Sequence, residues 1–212
     1  IFNKEKLFVL KDPIINISII NKKKNETIHE IERLGIKKYI LSVGRITKQK
    51  NYFFLIDCFN DLIKLYPEYS LVIIGEGEDK NKLQEYIERK KLSKKIFLLP
   101  FKNNIFNYMS KAECFILSSL WEDPGWVLME AASLNKIIIS SNCPNGPTEF
   151  LSNGEGGYLF DSNKKDSFIK KFIEYENNGL DLKNKKILIT KKKVKEYTPF
   201  KHYQTLVEIL KK

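Results

Sequence analysis

From Lys38 onward, short runs of apolar residues alternate with longer stretches in which apolar residues recur every three or four positions. The short runs have the length of buried strands, and the longer stretches have the period of amphipathic helices. Strands are predicted at 38–44, 69–77, 95–101, 113–119, 136–140 and 156–160, and helices at 51–67, 79–92, 104–112, 127–135 and 146–153. This alternation predicts an α/β fold, a parallel sheet sandwiched by helices.

The two ends of the chain depart from this alternation. Residues 1–30 contain the proline-interrupted "FVLKDPIINISII" and then a Lys/Asn-rich stretch, which predicts an extended segment followed by a linker or loop. Residues 164–212 are Lys-rich and predicted to be mostly helical, closing with the amphipathic "KHYQTLVEILKK". Because the chain starts at Ile1 and not at Met, we expect it to be a fragment of a longer protein.

Composition favours a folded protein in a reducing, cytoplasmic environment. Hydrophobic residues make up 42% of the chain, with 14 Phe and 10 Tyr, enough for a core. The three Cys lack a C-x-x-C spacing and the two His lie far apart, so neither a disulfide framework nor a metal site is predicted. Apolar runs stay far below the ~18 residues of a membrane span.

The net charge of +11 comes almost entirely from lysine, since only Arg33, Arg45 and Arg89 are arginines. Nucleic-acid-binding proteins use Arg for bidentate contacts, so a nucleic-acid-binding domain is the weaker hypothesis. A solvated lysine surface, attracted to an anionic membrane leaflet, fits the charge better.

Ligands of open parallel sheets bind beyond the carboxyl ends of the strands, where the strand order reverses. The first loop there, "GRITKQKN", places Arg45 and Lys50 after the turn residue Gly44, so that two cations converge on an anion. Two ordinary surface cations are the alternative. "GEG" supplies Gly75 and Gly77 after the next strand, a spacing that more often marks a tight turn than a nucleotide fingerprint.

The stretch "EDPGWVLME" sets two carboxylates around a helix start. Asp123 is predicted as the N-cap and Pro124 as the first helical residue. The helix start would leave phosphate-binding backbone N–H groups at Gly125, Trp126 and Val127.

Glu122 would precede this helix, and Glu130 would lie about two turns along on a similar azimuth. Carboxylates accept hydrogen bonds from vicinal diols, so the arrangement suits a ligand that is part phosphate and part sugar. The alternative is a pair of acids on a helix surface. For Glu149, in "NCPNGPTEF", a capping role is at least as well supported as ligand contact.

Together these segments resemble the C-terminal, donor-binding domain of a retaining glycosyltransferase of the GT-B architecture, family 4 or group 1. "SVGRITKQKN" is similar to the family's G-R-L-x-x-x-K-G, and "EDPGWVLMEAASLNKIIISS" to its E-G-F-G-L-x-x-x-E-A segment. Glu122 and Glu130 match its E-x7-E signature. Asn51 and Asp123-Pro124 depart from the pattern. The resemblance implies a Rossmann-like domain over 31–198, an interdomain remnant and linker over 1–30, and a helix over 199–212 that crosses back to a missing N-terminal domain.

The resemblance also implies roles for individual residues. Arg45 and Lys50 would neutralise the diphosphate of a UDP- or GDP-sugar, and Glu130 would accept from the ribose hydroxyls, while Glu122 would face the transferred sugar. Further donor contacts are implied at Gly44, Gly75, Gly77, Phe101, Lys102, Gly125, Trp126 and Val127.

The acceptor would be a glycan or a lipid-linked sugar, used without a metal or further cofactor at the inner membrane face. This fragment alone would transfer little sugar. A nucleotide-binding module without transferase activity is the alternative, and a nucleotide-sugar epimerase, a relative of the same architecture, is disfavoured by the glutamate pair.

Overall fold

The computed structural model describes residues 7–211. Its strands are β1 Lys38–Val43, β2 Tyr69–Ile74, β3 Ile96–Leu99, β4 Cys114–Leu117, β5 Ile137–Ser141 and β6 Tyr158–Phe160. Its helices are α1 Ile17–Lys23, α2 His29–Arg33, α3 Tyr52–Leu65, α4 Lys80–Arg89, α5 Phe106–Lys111, α6 Trp126–Ser133, α7 Pro147–Phe150, α8 Lys165–Asn177, α9 Leu180–Val194 and α10 Pro199–Leu210. The predicted alternation of strand and helix is confirmed.

The six strands form one sheet in the order β3-β2-β1-β4-β5-β6, and every neighbouring pair is parallel. Strand β1 therefore lies between β2 and β4, and the order reverses there. A crevice opens beyond the carboxyl ends of strands at such a reversal. The loops that follow β1 and β4 are thus placed side by side.

Helices cover both faces of the sheet, because successive strand residues point to opposite sides. Tyr39 and Leu41 of β1 belong to a core cluster that is completed by α1, α2, α5 and α6. Ile40 belongs to a second cluster, which is completed by α3, α4 and α8. Strands this thoroughly buried account for the near-continuous apolar runs of the sequence.

The structure corrects the prediction for the first 30 residues. Helix α1 spans the end of the segment predicted to be extended and the start of the Lys/Asn-rich stretch, and its N-cap Asn16 accepts a hydrogen bond from the Ile19 N–H at 3.1 Å. Ile20 and Ile28 are buried in the core beside α5 and α6. Residues 21–27 between these two isoleucines are all polar, so no apolar periodicity indicated that the segment packs on the core. Residues 1–6 lie outside the described residues.

The C-terminal segment is helical, as predicted. Helix α10 buries none of its residues fully, and Phe200, Tyr203 and Leu210 are 78%, 67% and 76% exposed. Its predicted contact with a further domain stays a prediction. Lys212 lies outside the described residues.

Candidate functional site

Two hollows meet at the carboxyl edge of β1. One, of about 600 Å3, lies among the loops after β1, β2 and β3. The other, of about 480 Å3, lies between the loops after β1 and β4. Four residues line both, namely Val43, Gly44, Arg45 and Glu130. The hollows therefore form one elongated cleft whose waist is made by these four residues.

Gly44 begins the loop after β1 and leaves room for Lys50. A Cβ atom at Gly44 would lie 2.9 Å from the Lys50 Cε atom and 3.2 Å from the Tyr52 hydroxyl oxygen. The first distance is shorter than Cβ atoms normally approach other atoms, so the lysine stem occupies the space that a side chain at Gly44 would fill. Gly44 thereby lets Lys50 lie against the cleft.

Gly75 and Gly77 permit the loop after β1 to cross the loop after β2. A Cβ atom at Gly75 would lie 2.0 Å from the Gly44 carbonyl oxygen, and one at Gly77 would lie 2.3 Å from the Ile46 carbonyl oxygen. The loops are joined by hydrogen bonds from the Gly44 N–H to Ile74 and from the Ile46 N–H to Glu76, at 3.1 and 2.8 Å. These glycines thus shape the site through backbone packing. Their contact with a donor stays a prediction.

Lys50 and Glu122 form an ion pair beside the smaller hollow. The Lys50 Nζ atom lies 2.5 Å from the Glu122 Oε1 atom, and the side chains are 13% and 5% exposed. The Ser119 hydroxyl also donates to this oxygen. Sequence reasoning placed both residues at the site but did not pair them.

Two further hydrogen bonds hold the loop after β1 against the loop after β4. The Ser118 hydroxyl donates to the Lys50 carbonyl at 2.8 Å. The Gln49 side-chain amide donates to the Trp121 carbonyl at 2.9 Å. These bonds fix the backbone on both sides of the Lys50–Glu122 ion pair.

Arg45 and Glu130 both line the waist of the cleft. Among residues 7–211, neither side chain has a hydrogen-bond or ion-pair partner. Arg45 is exposed, whereas Glu130 is partly buried on α6. Burial without a compensating donor raises the pKa of Glu130 from its ordinary value of 4.5 to about 7. A cation and a carboxyl group are thus available to a ligand at this point.

The start of α6 differs from the prediction. Gly125, not Asp123, is the N-cap, and the helix begins at Trp126. Gly125 has a φ of 84°, a left-handed conformation that glycine adopts without a Cβ clash and that interrupts a helix path from Pro124. Asp123 is exposed and makes no capping bond.

Because the helix starts two residues later than predicted, the backbone donors and Glu130 lie closer to its first residue. Trp126 and Val127 occupy the first turn as predicted, while Gly125 precedes it. Glu130 lies about one turn into the helix instead of two. Gly125, Trp126 and Val127 all line the smaller hollow.

The loop after β5 supports the loop that carries Glu122. The Glu122 N–H donates to the Pro144 carbonyl at 3.1 Å. A Cβ atom at Gly146 would lie only 2.1 Å from the Pro124 carbonyl oxygen. Glu149 instead pairs with Lys11 at 3.2 Å, and its side chain is 76% exposed. These contacts favour a structural role for Glu149 over a ligand role.

Phe101 and Lys102 line the larger hollow, and their predicted contact with a base stays a prediction. Phe101 is 67% exposed. Lys102 pairs with Glu30 of α2 at 2.7 Å. Sequence reasoning missed Glu30, which lies at the end of the predicted linker over 1–30 and carries no local motif.

Within the part of the chain that the structure describes, no group of three His, Cys, Asp or Glu side chains is placed to hold a metal ion. None of the helices between residues 7 and 211 combines the length and apolar composition needed to cross a membrane.

Residues 24–197 match the family model described as Glycosyl transferases group 1. The chain is 32% identical over 191 residues to the N-acetylgalactosamine-N,N'-diacetylbacillosaminyl-diphospho-undecaprenol 4-alpha-N-acetylgalactosaminyltransferase of Campylobacter jejuni. This alignment covers 83% of the chain and 51% of that relative. It is 34% identical over 146 residues to the UDP-Gal:alpha-D-GlcNAc-diphosphoundecaprenol alpha-1,3-galactosyltransferase of Escherichia coli, covering 66% of this chain and 38% of that protein. The chain thus spans about half, or less, of these relatives.

Solved structures share the fold. A glycosyltransferase from Rickettsia africae superimposes with a TM-score of 0.82 and 19% identity, covering 98% of this chain and 57% of that one. HepE of Anabaena, crystallised with UDP and glucose, gives a TM-score of 0.76 and 18% identity, covering 91% of this chain and 54% of that one. At this level of identity the likeness establishes the fold alone.

Proposed function

The chain belongs to the group 1 glycosyl transferases and has the fold of the C-terminal half of a GT-B enzyme, and we propose that it binds a nucleoside-diphosphate sugar. The sugar would be transferred, with retention of its anomeric configuration, to a glycan or lipid-linked acceptor. The observation that carries this proposal is the waist of the cleft. There Arg45 and Glu130, neither paired within residues 7–211, meet between two hollows.

The charges along the cleft suit the parts of such a donor. The Arg45 guanidinium is a bidentate donor for phosphate oxygens. Glu130 would accept hydrogen bonds from the ribose hydroxyls. The larger hollow, with Phe101 and Lys102, would take the base of a UDP- or GDP-sugar. The smaller hollow, at the start of α6, would take the sugar.

Lys50 and Glu122 would act as a unit at the sugar end. An ammonium has three N–H donors, so Lys50 can contact a diphosphate oxygen while it keeps Glu122 as a partner. The positive charge of Lys50 and Arg45 would stabilise the departing diphosphate. No metal or further cofactor enters the proposed transfer, because these two residues provide the charge. Glu122 would then face the sugar hydroxyls.

The acceptor and the setting are also part of the proposal. The Campylobacter jejuni and Escherichia coli relatives are named for undecaprenol-linked substrates, which supports a lipid-linked acceptor in polysaccharide or glycoconjugate synthesis. The net charge of +11 supports peripheral contact with an anionic membrane at its cytoplasmic face.

We further propose that an N-terminal domain of the same protein supplies the acceptor site. The chain covers only 51% of the Campylobacter jejuni relative, which supports this division. The 212-residue chain would therefore bind the donor but transfer little sugar.

Calorimetric titration of the chain with UDP, GDP, ADP and a short oligonucleotide tests the donor site. Arg45→Ala and Glu130→Ala each remove a charged hydrogen-bonding group, so each should weaken nucleotide binding roughly tenfold or more. Arg89→Ala and Glu85→Ala, exposed on α4, are matched controls that should leave affinity unchanged.

Failure of every nucleoside diphosphate to bind the folded chain at millimolar concentration would refute the donor site. Tighter binding of the oligonucleotide would favour the nucleic-acid hypothesis. Transfer is tested on the longer protein with the N-terminal domain, and NMR of the product shows whether the anomeric configuration is retained. Nucleotide binding without transfer there would identify a binding module.

A further inference from the structure

Lys102 is held in place at the wall of the larger hollow. Its Nζ atom lies 2.7 Å from the Glu30 Oε2 atom, and the side chains are 24% and 26% exposed. The same carboxylate accepts a hydrogen bond from the Tyr108 hydroxyl at 2.8 Å. Burial acts to raise the pKa of Glu30, but the hydrogen bonds from Lys102 and Tyr108 outweigh it and lower the pKa. Glu30 is therefore a charged anchor for the ammonium.

The anchor itself is fixed by the core. Tyr108 is only 6% exposed, and its carbonyl accepts a hydrogen bond from the Tyr39 hydroxyl at 2.7 Å. Glu30 thus connects Lys102 to α5 and, through Tyr108, to β1. An ammonium tied in this way has less rotamer freedom to lose when it binds a ligand.

The segment joining α1 to α2 also supports the loop that carries Lys102. The Asn104 side-chain amide donates to the Glu26 carboxylate at 2.7 Å and to the Lys23 carbonyl at 3.0 Å. The Ser110 hydroxyl donates to the Lys24 carbonyl at 2.8 Å. Residues predicted to form a linker therefore brace one wall of the hollow.

The chemistry of this wall is selective for one kind of base edge. An ammonium has three N–H donors and no acceptor, so Lys102 retains donors for a ligand after pairing with Glu30. Phe101 lines the same hollow and offers an aromatic face for stacking. At the ring position where uracil and guanine carry a carbonyl oxygen, cytosine and adenine carry an amino group, which cannot accept a hydrogen bond from an ammonium.

We propose that Glu30 is a positioning residue that holds Lys102 so that the site prefers nucleotides whose base has a carbonyl oxygen at the ring position where cytosine and adenine have an amino group. Lys102 makes the contact with the base, and Glu30 acts through it. The donor class would then be a uridine or guanosine diphosphate sugar. This inference rests on the proposed function, since it concerns the base end of the same cleft.

Two matched pairs of nucleotides measure how a carbonyl or an amino group on the base affects binding. UDP and CDP differ by a carbonyl or an amino group at one ring position, and IDP and ADP differ in the same way on a purine. We expect the unmodified chain to bind the carbonyl member of at least one pair roughly tenfold more tightly, measured by calorimetry. The ratio of the two affinities within a pair does not respond to changes that affect the binding of all nucleotides equally.

Three variants assign the effect. Lys102→Met removes the donor and should bring the ratio to about one. Glu30→Gln keeps the size of the side chain but frees the ammonium, so the ratio should fall while binding of the amino member changes little. Glu32→Gln, on the same helix, removes a 64% exposed carboxylate that lies near His29, and it should leave the ratio unchanged. Thermal melts check that each variant is folded.

The outcomes separate this inference from the proposed function. Equal binding of both members by the folded, unmodified chain, or a ratio unchanged in Lys102→Met, would overturn the base preference while leaving the donor site intact. If Glu30→Gln weakens the binding of all four nucleotides by the same factor, Glu30 supports the structure of the site but does not contribute to the base preference. Binding of none of the four would overturn the proposed function itself.

Discussion

The Lys50 ammonium lies 2.5 Å from the Glu122 carboxylate, and this ion pair joins the loop after β1 to the loop after β4. Both side chains are largely buried, and Ser119 donates to the same carboxylate oxygen. The two loops belong to the adjacent strands between which the strand order reverses. The ion pair therefore connects the two sides of the smaller hollow, and its loss should affect both folding and binding.

Glu122→Gln should lower the free energy of unfolding by about 1–3 kcal/mol, because the Lys50 ammonium would lose its charged partner. A double-mutant cycle with Lys50→Met, measured by urea unfolding, isolates the interaction. We expect a coupling free energy of roughly 0.5–3 kcal/mol. If the decrease in the free energy of unfolding of the double variant equals the sum of the decreases in the two single variants, the ion pair does not contribute to stability.

Glu130 should make stability depend on pH. Its pKa is raised from 4.5 to about 7, so between these values the folded state holds a proton that the unfolded state has lost. The stabilisation is full below the unfolded pKa and disappears as the pH rises through about 7. The total change is up to roughly 3 kcal/mol.

Glu130→Gln, which cannot ionise, should flatten this part of the profile of stability against pH. Urea unfolding at a series of pH values measures it. Glu85→Gln, at an exposed position on α4, serves as the control. A profile that keeps its slope in Glu130→Gln would assign the pH dependence to another group.

Donor affinity should follow the same ionisation in the opposite direction. Only the carboxylate form of Glu130 is a full acceptor for ribose hydroxyls, so binding should strengthen as the pH rises through about 7. With binding limited to the ionised fraction, the affinity should rise roughly tenfold between about pH 6 and about pH 8. UDP-glucose is the probe, because it lacks the terminal phosphate that titrates in this range.

In Glu130→Gln, binding of UDP-glucose should be weaker and should no longer depend on pH. Calorimetry at each pH provides the affinities. Wild-type affinity that is constant across the range, while the donor binds, would exclude Glu130 as the ribose acceptor.

Local patterns predicted the layout of the fold and much of the lining of the cleft. Strand β1 and the cations Arg45 and Lys50 follow from short, contiguous segments of sequence. The placement of Glu122 and Glu130 at the same hollow was also predicted, because one helix start separates them in sequence. The carboxyl edge of a parallel sheet then brought these loops together.

The missed features depend on contacts between distant parts of the chain. Nothing beside Glu30 indicates that it will meet Lys102, and the burial of Ile20 is apparent only once α5 is in place. At the start of α6, the Asp123-Pro124 pair matched a capping pattern. The left-handed conformation of Gly125 prevailed instead. Its φ could not be read from residue identity, because glycine adopts either sign.

Gly75→Ala should destabilise the protein by about 1–3 kcal/mol and weaken donor binding, because the new Cβ atom would force two loops apart. That atom would lie 2.0 Å from the Gly44 carbonyl oxygen. Gly179→Ala is the control, since no atom lies within 4 Å of its Cβ position. Urea unfolding and UDP titration report the two effects. Gly75→Ala with the stability and affinity of the control would show that the loops accommodate a methyl group.

Gly146→Ala should weaken donor binding by displacing the loop that carries Glu122. Gly146 has a φ of 125°, and its Cβ position lies 2.1 Å from the Pro124 carbonyl oxygen. Alanine there meets both backbone strain and a collision with this loop.

Gly154→Ala provides a matched control, because Gly154 also has a positive φ, 96°, but its nearest neighbour is a Leu159 methyl carbon at 4.0 Å. Both variants should lose roughly 1–2 kcal/mol to backbone strain. Only Gly146→Ala should lose a further increment of stability together with affinity for UDP-glucose. If the two variants have equal effects on unfolding and on binding, Gly146 is needed only for the conformation of its own turn and does not position the loop that carries Glu122.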